Sequence, residues 1–97
     1  MAAVAKFDWD EANKAHVATH DVTPAEVEEV YRNDPMDLDF PIVGGEKRYT
    51  ILGHTNRLRI LVVALTVRDG AIRPVTAFDA SRRMAKDYLT SRGYEDA

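Results

Sequence analysis

The stretch LRILVVALTV, residues 58–67, constrains the fold more than any other part of the chain. It is the most apolar run, far short of the roughly 20 residues a membrane-crossing helix needs, and it reads as the central strand of a sheet. Asp69-Gly70 follows as a two-residue hairpin turn closed by Arg68 and Ala71. The next strand spans Ile72 to Phe78, and Pro74 removes one ladder donor there, which calls for an edge position or a bulge. Upstream, a strand over Lys47 to Gly53 is linked to the apolar run by HTNR (54–57). Further upstream, Leu38, Phe40 and Ile42 alternate with Asp37, Asp39 and Pro41, a strand that Pro41 favours at an edge, and Gly44-Gly45 supplies the turn after it.

The flanks carry helix signals. FDW (7–9) reads as a short strand, after which the Asp10 carboxylate can cap a helix from about Glu11 to His20. Its mildly apolar face is Ala12, Ala15, His16 and Thr19, so packing must support it. In VTPAEV, Thr23 suits the N-cap, Pro24 the first helical position and Glu26 the capping box, with Val22 and Val27 placed as a hydrophobic staple. That second helix runs to about Arg32 with Val27, Val30 and Tyr31 inward, and NDP (33–35) stops it. Ser81 or Asp79 caps a last helix through about Thr90, which turns Met84, Ala85 and Tyr88 to the sheet and Arg82, Arg83 and Lys86 to water, with Gly93 at its end. The order predicts a single α+β domain over residues 1–97. It has two N-terminal helices, an antiparallel meander of about four strands, and a C-terminal helix.

Ninety-seven residues suffice for one modest core, and the absence of cysteine excludes disulfides and thiolate metal sites. The N-terminus lacks the apolar middle of a secretory signal, so a cytoplasmic location and no membrane are expected. Charge is uneven: −6 over residues 1–56 and +5 over residues 57–92. The basic part can meet phosphate or an acidic protein surface, or form a solvated mixed surface.

Only three histidines are available for proton chemistry. His16 and His20 share a helix face, but a zinc site wants three or four ligands and no glutamate follows His16 in the protease pattern. No metal and no cofactor are expected. Gly44-Gly45 lacks the G-K-[ST] of a phosphate loop, and Ser81 lacks a G-x-S-x-G elbow.

The segments FDWDEANKAHVATHDVTPAEVEEVY, EKRYTILGHT and RPVTAFDASRRMAKDY resemble the BrnT family of type II toxin–antitoxin systems. The most specific piece comprises Trp9, Asp10, Asn13, His16, His20, Val22 and Thr23. The resemblance implies a RelE-like ribonuclease fold, a toxin that cuts RNA and slows growth, and a BrnA antitoxin through which alone DNA is bound. The chain departs from the family pattern at several charged positions. Thr19, His20 and Asp21 stand where a basic residue, His and Gly are usual; His54 and Phe78 replace arginines, and Met84 replaces a glutamate.

Metal-independent RNA cleavage needs a base for the 2′-hydroxyl, cations for the phosphorane and an acid for the leaving 5′-oxygen. His20 and His54 suit the proton transfers and Arg59 the phosphate clamp, while Arg57, Arg73, Arg82, Arg83 and Lys86 can extend an RNA-binding surface. Each has a structural alternative. His20 can cap a helix end, His16 can be a partly buried packing residue, and Arg82 and Arg83 can be the wet face of a helix. Two non-enzymatic readings stay open beside the toxin: a catalytically lapsed relative kept as an interaction module, and a nucleic-acid-binding module without chemistry.

Overall fold

In a computed structural model, residues 6–38 and 47–94 are described. The elements are α1 (Glu11–Ala18), α2 (Pro24–Arg32), β1 (Met36–Leu38), β2 (Tyr49–His54), β3 (Ile60–Arg68), β4 (Ala71–Asp79) and α3 (Arg82–Ser91). The strands form one sheet in the order β1-β2-β3-β4, every neighbour antiparallel. The α+β meander expected from the turn signals is therefore the observed one. Phe40, Ile42 and the Gly44-Gly45 turn lie outside the described residues.

Local chemistry explains most boundaries. Asp10 accepts from the Asn13 N–H at 3.0 Å while Asn13 Oδ1 accepts from the Asp10 N–H at 2.8 Å, a reciprocal box at the start of α1. Thr23 and Glu26 form the same device at α2. Ser81, rather than Asp79, caps α3. Asp69 and Gly70 both take positive φ, at 50° and 76°, as a tight two-residue hairpin with the strand twist requires.

Pro74 satisfies both of its expected conditions. It sits on the edge strand, and the register slips between Ala64 and Leu65, where Val75 is the extra residue. Residues 6–8 cover part of that edge: the Ile72 N–H donates to Lys6 O and the Asp8 N–H to Ile72 O, both at 2.8 Å. FDW thus supplies a bridge rather than a full strand.

Side-chain alternation places two cores on two faces. Ile51, Val63 and Ala77 are paired across the sheet and meet Val17 of α1 and Val27 and Val30 of α2. Leu52 and Val62 point the other way and meet Tyr88, Met84 and Leu89 of α3. The sheet is therefore a middle layer, with the two N-terminal helices on one side and the C-terminal helix on the other.

The expected inward face of α1 is corrected. Ala12, Ala15, His16 and Thr19 are exposed, and Asn13 and Val17, one turn apart, are the buried pair. Asn13 goes inward because its amide is fully used: Nδ2 donates to Asp8 O at 2.9 Å and to Pro74 O at 3.1 Å. One buried and one partly buried carbonyl gain a donor, which outweighs the cost of burying a polar group.

Gly53 lets β2 approach α2 closely. A Cβ there would lie 3.0 Å from Val30 Cγ1 and 3.1 Å from Pro35 Cβ.

Candidate functional site

Helix α1 ends in a left-handed turn. Asp21 takes φ 62°, the Asp21 N–H donates to Ala18 O at 3.0 Å, and the Val22 N–H donates to Val17 O at 3.1 Å. This is a Schellman arrangement with Val22 and Val17 in the core beneath it. An aspartate thus occupies the position that most favours glycine, and the turn leaves the carbonyls of His20 and Asp21 facing the start of β3.

Arg59 fills that space. Its Nη1 donates to Asp21 O at 2.7 Å and to Glu26 at 3.2 Å, and its Nη2 donates to His20 O at 3.3 Å. Nε and Nη2 also fork onto Asp79, at 2.8 and 3.1 Å. All the guanidinium donors are thereby engaged, and the cation sits at the negative end of the α1 dipole. The Asp79 hydrogen bond, opposed by burial and reinforced by Glu26, pushes the arginine further above its already high pKa. Burial alone would raise Glu26, but the Thr23 N–H and Arg59 outweigh it and hold the carboxyl below its ordinary value. Asp79 is lowered chiefly by the Arg59 hydrogen bond.

His20 is exposed at this corner, its ring centroid 5.9 Å from that of Phe78 on β4. His54 ends β2 and is half-buried, its ring 6.3 Å from that of Tyr88. His54 Nδ1 lies 2.9 Å from Thr55 O. A carbonyl only accepts, so Nδ1 carries the proton and a neutral ring keeps its Nε2 lone pair free. The strands bearing His54 and Phe78 are separated by β3 alone, roughly 10 Å apart.

The other expected cations divide by location. Arg57 is exposed and lines a cleft with Thr23, Glu26, Glu29 and Arg59. Arg82 and Arg83 open α3 two residues after Ala80, whose N–H donates to Ile60 O at 3.0 Å, so they start beside the same end of the sheet. With Lys86 and Asp87 they border a shallow groove. Arg73 is elsewhere. It lies toward the opposite end of β4, 2.9 Å from Asp10 and 3.4 Å from Asp8. His16, expected to be partly buried, is exposed, because the α1 contact stripe runs through Asn13 and Val17 instead.

Three participants were not visible as such in the sequence. Glu26 reads only as a capping residue, yet the same carboxylate also holds Arg59. Asp79 reads only as an alternative cap. Tyr88 reads as a packing residue, but its hydroxyl is buried with no hydrogen-bond partner among the described residues, burial raises its pKa, and its ring stands beside His54. Among the described residues, no group of three or more His, Cys, Asp or Glu side chains is placed to hold a metal, and no helix is long and apolar enough to cross a membrane.

The fold is an α+β sheet with His20, His54 and a braced Arg59 at one end, and a family comparison assigns it to the toxin class of type II toxin–antitoxin systems. The model of the family described as "Ribonuclease toxin, BrnT, of type II toxin-antitoxin system" matches residues 9–83, and the chain belongs to this family. Membership implies an antitoxin partner. A comparison with curated proteins finds no match.

Proposed function

We propose that the chain, as one RelE-like domain over residues 1–97, is a metal-independent endoribonuclease that acts on cytoplasmic RNA and is neutralised by a BrnA-like antitoxin, which alone carries the pair to DNA. The observation that carries this reading is the grouping of His20, His54, Arg57 and Arg59 around the ends of α1, β2, β3 and β4 in a chain of the BrnT family.

In the proposed reaction His54 Nε2 takes the proton of a ribose 2′-hydroxyl. The resulting oxygen attacks the adjacent phosphorus, and the bond from phosphorus to the 5′-oxygen breaks. His20, as imidazolium, gives its proton to that leaving oxygen. The products are a 2′,3′-cyclic phosphate and a 5′-hydroxyl. Arg59 keeps Glu26 and exchanges Asp79, its more exposed partner, for phosphate oxygens, while Arg57, Arg82, Arg83 and Lys86 hold flanking phosphates. Arg73 meets the strand further along.

The test is incubation of the purified protein with RNA in the presence of a chelator, alongside growth on expression. Cleavage to cyclic-phosphate ends is expected, with His20→Ala and His54→Ala each lowering the rate about 100-fold or more. Intact RNA with a folded sample would overturn the reading. A second reading, a lapsed relative that only binds its antitoxin, is favoured by the engagement of every Arg59 donor. It predicts antitoxin binding without cleavage or growth arrest.

A further inference from the structure

At the end of the sheet remote from His20 and His54 lies a second cleft, of about 220 Å³, lined by His16 of α1, Arg48, Thr66, Arg68, Arg73 and the residues around Pro74. The pairing explains its make-up. Tyr49 pairs with Leu65, so Arg48 stands next to Thr66, and Thr66 pairs with Arg73. Arg48, just before β2, thus joins Thr66 of β3 and Arg73 of β4 in one row. Arg68 is two residues beyond Thr66 and returns to that face. Thr66 Oγ1 donates to Lys47 O at 3.1 Å, which pins the backbone that presents Arg48. Helix α1, held to β4 through the Asn13–Pro74 hydrogen bond, brings His16 over the same cleft.

The cations here are not equivalent. Arg73 is neutralised by Asp8 and Asp10. Arg48 is half-buried, and its Nε is buried with no hydrogen-bond partner among the described residues. An ionised guanidinium with a dry, unused donor is a costly arrangement unless a ligand supplies the acceptor. We propose that this cleft binds a phosphodiester group of a single-stranded RNA, with Arg48 as its anchor and His16 and Arg68 at its rim. A phosphodiester carries one negative charge, which suits one guanidinium that has no ion pair among the described residues, next to an Arg73 already paired with Asp8 and Asp10, better than a doubly charged free phosphate does. The cleft is separated from the histidine corner by the length of β4 from Arg73 to Asp79, roughly 20 Å, a span of several nucleotides. The site would therefore hold the strand away from the bond being cut and set its direction. The inference rests on the RNA reading above for its ligand, but not on catalysis.

The test uses a 12-nucleotide RNA with 2′-O-methyl groups throughout, which cannot be cleaved by its own 2′-oxygens, titrated by fluorescence anisotropy at several salt concentrations. Arg48→Gln is expected to weaken binding about tenfold and to lower the slope of log K against log salt by about one. Arg48→Lys, which keeps the charge, should retain the slope, and His16→Ala, at an exposed position, should weaken binding with the melting temperature unchanged. Millimolar inorganic phosphate should not displace the RNA. Unaltered affinity and slope in Arg48→Gln would overturn the proposal, as would binding of inorganic phosphate at Arg48 without any effect of the substitution on RNA. Absence of RNA binding by the wild-type chain would also overturn it, whereas binding without cleavage of ordinary RNA would sink only the ribonuclease reading.

Discussion

The guanidinium of Arg59 is forked onto the carboxylate of Asp79, with Nε and Nη2 at 2.8 and 3.1 Å from its two oxygens. The same side chain reaches back to Glu26 and to the last carbonyls of the α1 turn. One arginine therefore joins the N-terminal helices to the exit of the last strand.

Arg59→Ala should lower stability by about 2 kcal/mol, because it leaves two carboxylates and two helix-end carbonyls without their donor. In a domain of this size that is a fall of roughly 10 °C in Tm, readable by thermal denaturation. Arg59→Lys should recover less than half of the loss, since an ammonium cannot fork onto Asp79 while reaching Glu26. Wild-type stability in both variants would show that the brace contributes nothing.

Acid should loosen this joint and, separately, the start of α1. Hydrogen bonding from the Asn13 N–H holds Asp10 below the ordinary carboxylate value of about 4, and Glu26 and Asp79 are held down with it. As pH falls, the unfolded chain takes up protons at these groups before the folded one does, so their stabilisation is present above about pH 4 and declines as pH passes down through the folded values. Urea midpoints should fall between about pH 5 and pH 3. The Glu26→Gln, Asp79→Asn double variant should be less stable at neutral pH and show a flatter decline.

Asn13 is a hinge between sequence and fold. Asn13→Ala removes the N-cap partner of Asp10 and the donor to Asp8 and Pro74, with an expected loss of about 1–3 kcal/mol in chemical denaturation. Asn13→Asp keeps the acceptor but supplies no donor to the two carbonyls, so it should be at least as damaging. If Asn13→Asp matched the wild type, the amide donors would have no structural role.

Two glycine substitutions should act in opposite directions. Asp21→Gly relieves a left-handed side-chain conformation and should raise stability by roughly 0.5–1 kcal/mol. Gly53→Ala should lower it by about 1–3 kcal/mol, because the added Cβ meets Val30 and Pro35 at close range and α2 must shift. Thermal melts of the two variants, compared with the wild type, check both signs.

Much of the fold was legible because its signals are local. Asp10, Thr23 and Ser81 cap helices by hydrogen bonds to residues three positions on, and Asp69-Gly70 closes its hairpin without outside help. The inward face of α1 differs from the sequence expectation because alanine is neutral about burial and Asn13 is not: its preference is set by two carbonyls, one of them 61 residues away. The candidate site was legible in residue type but not in partnership. His20, His54 and Arg59 stand at one end of the sheet, and Arg73 lies at the other, where Arg48, which no sequence signal singles out, joins it.

The sequence by itself determined the order of the elements and their bounds to within about two residues, apart from the 7–9 strand that is only a bridge, since caps, turn residues and side-chain period act over a few positions. Only the tertiary structure decided that α3 lies across the sheet from α1 and α2, that Arg59 is braced by residues 20 and 33 positions away, and that Arg48 Nε has no partner among the described residues. The physical reason is that burial and charge pairing depend on distance in space, and the sheet register brings distant residues together.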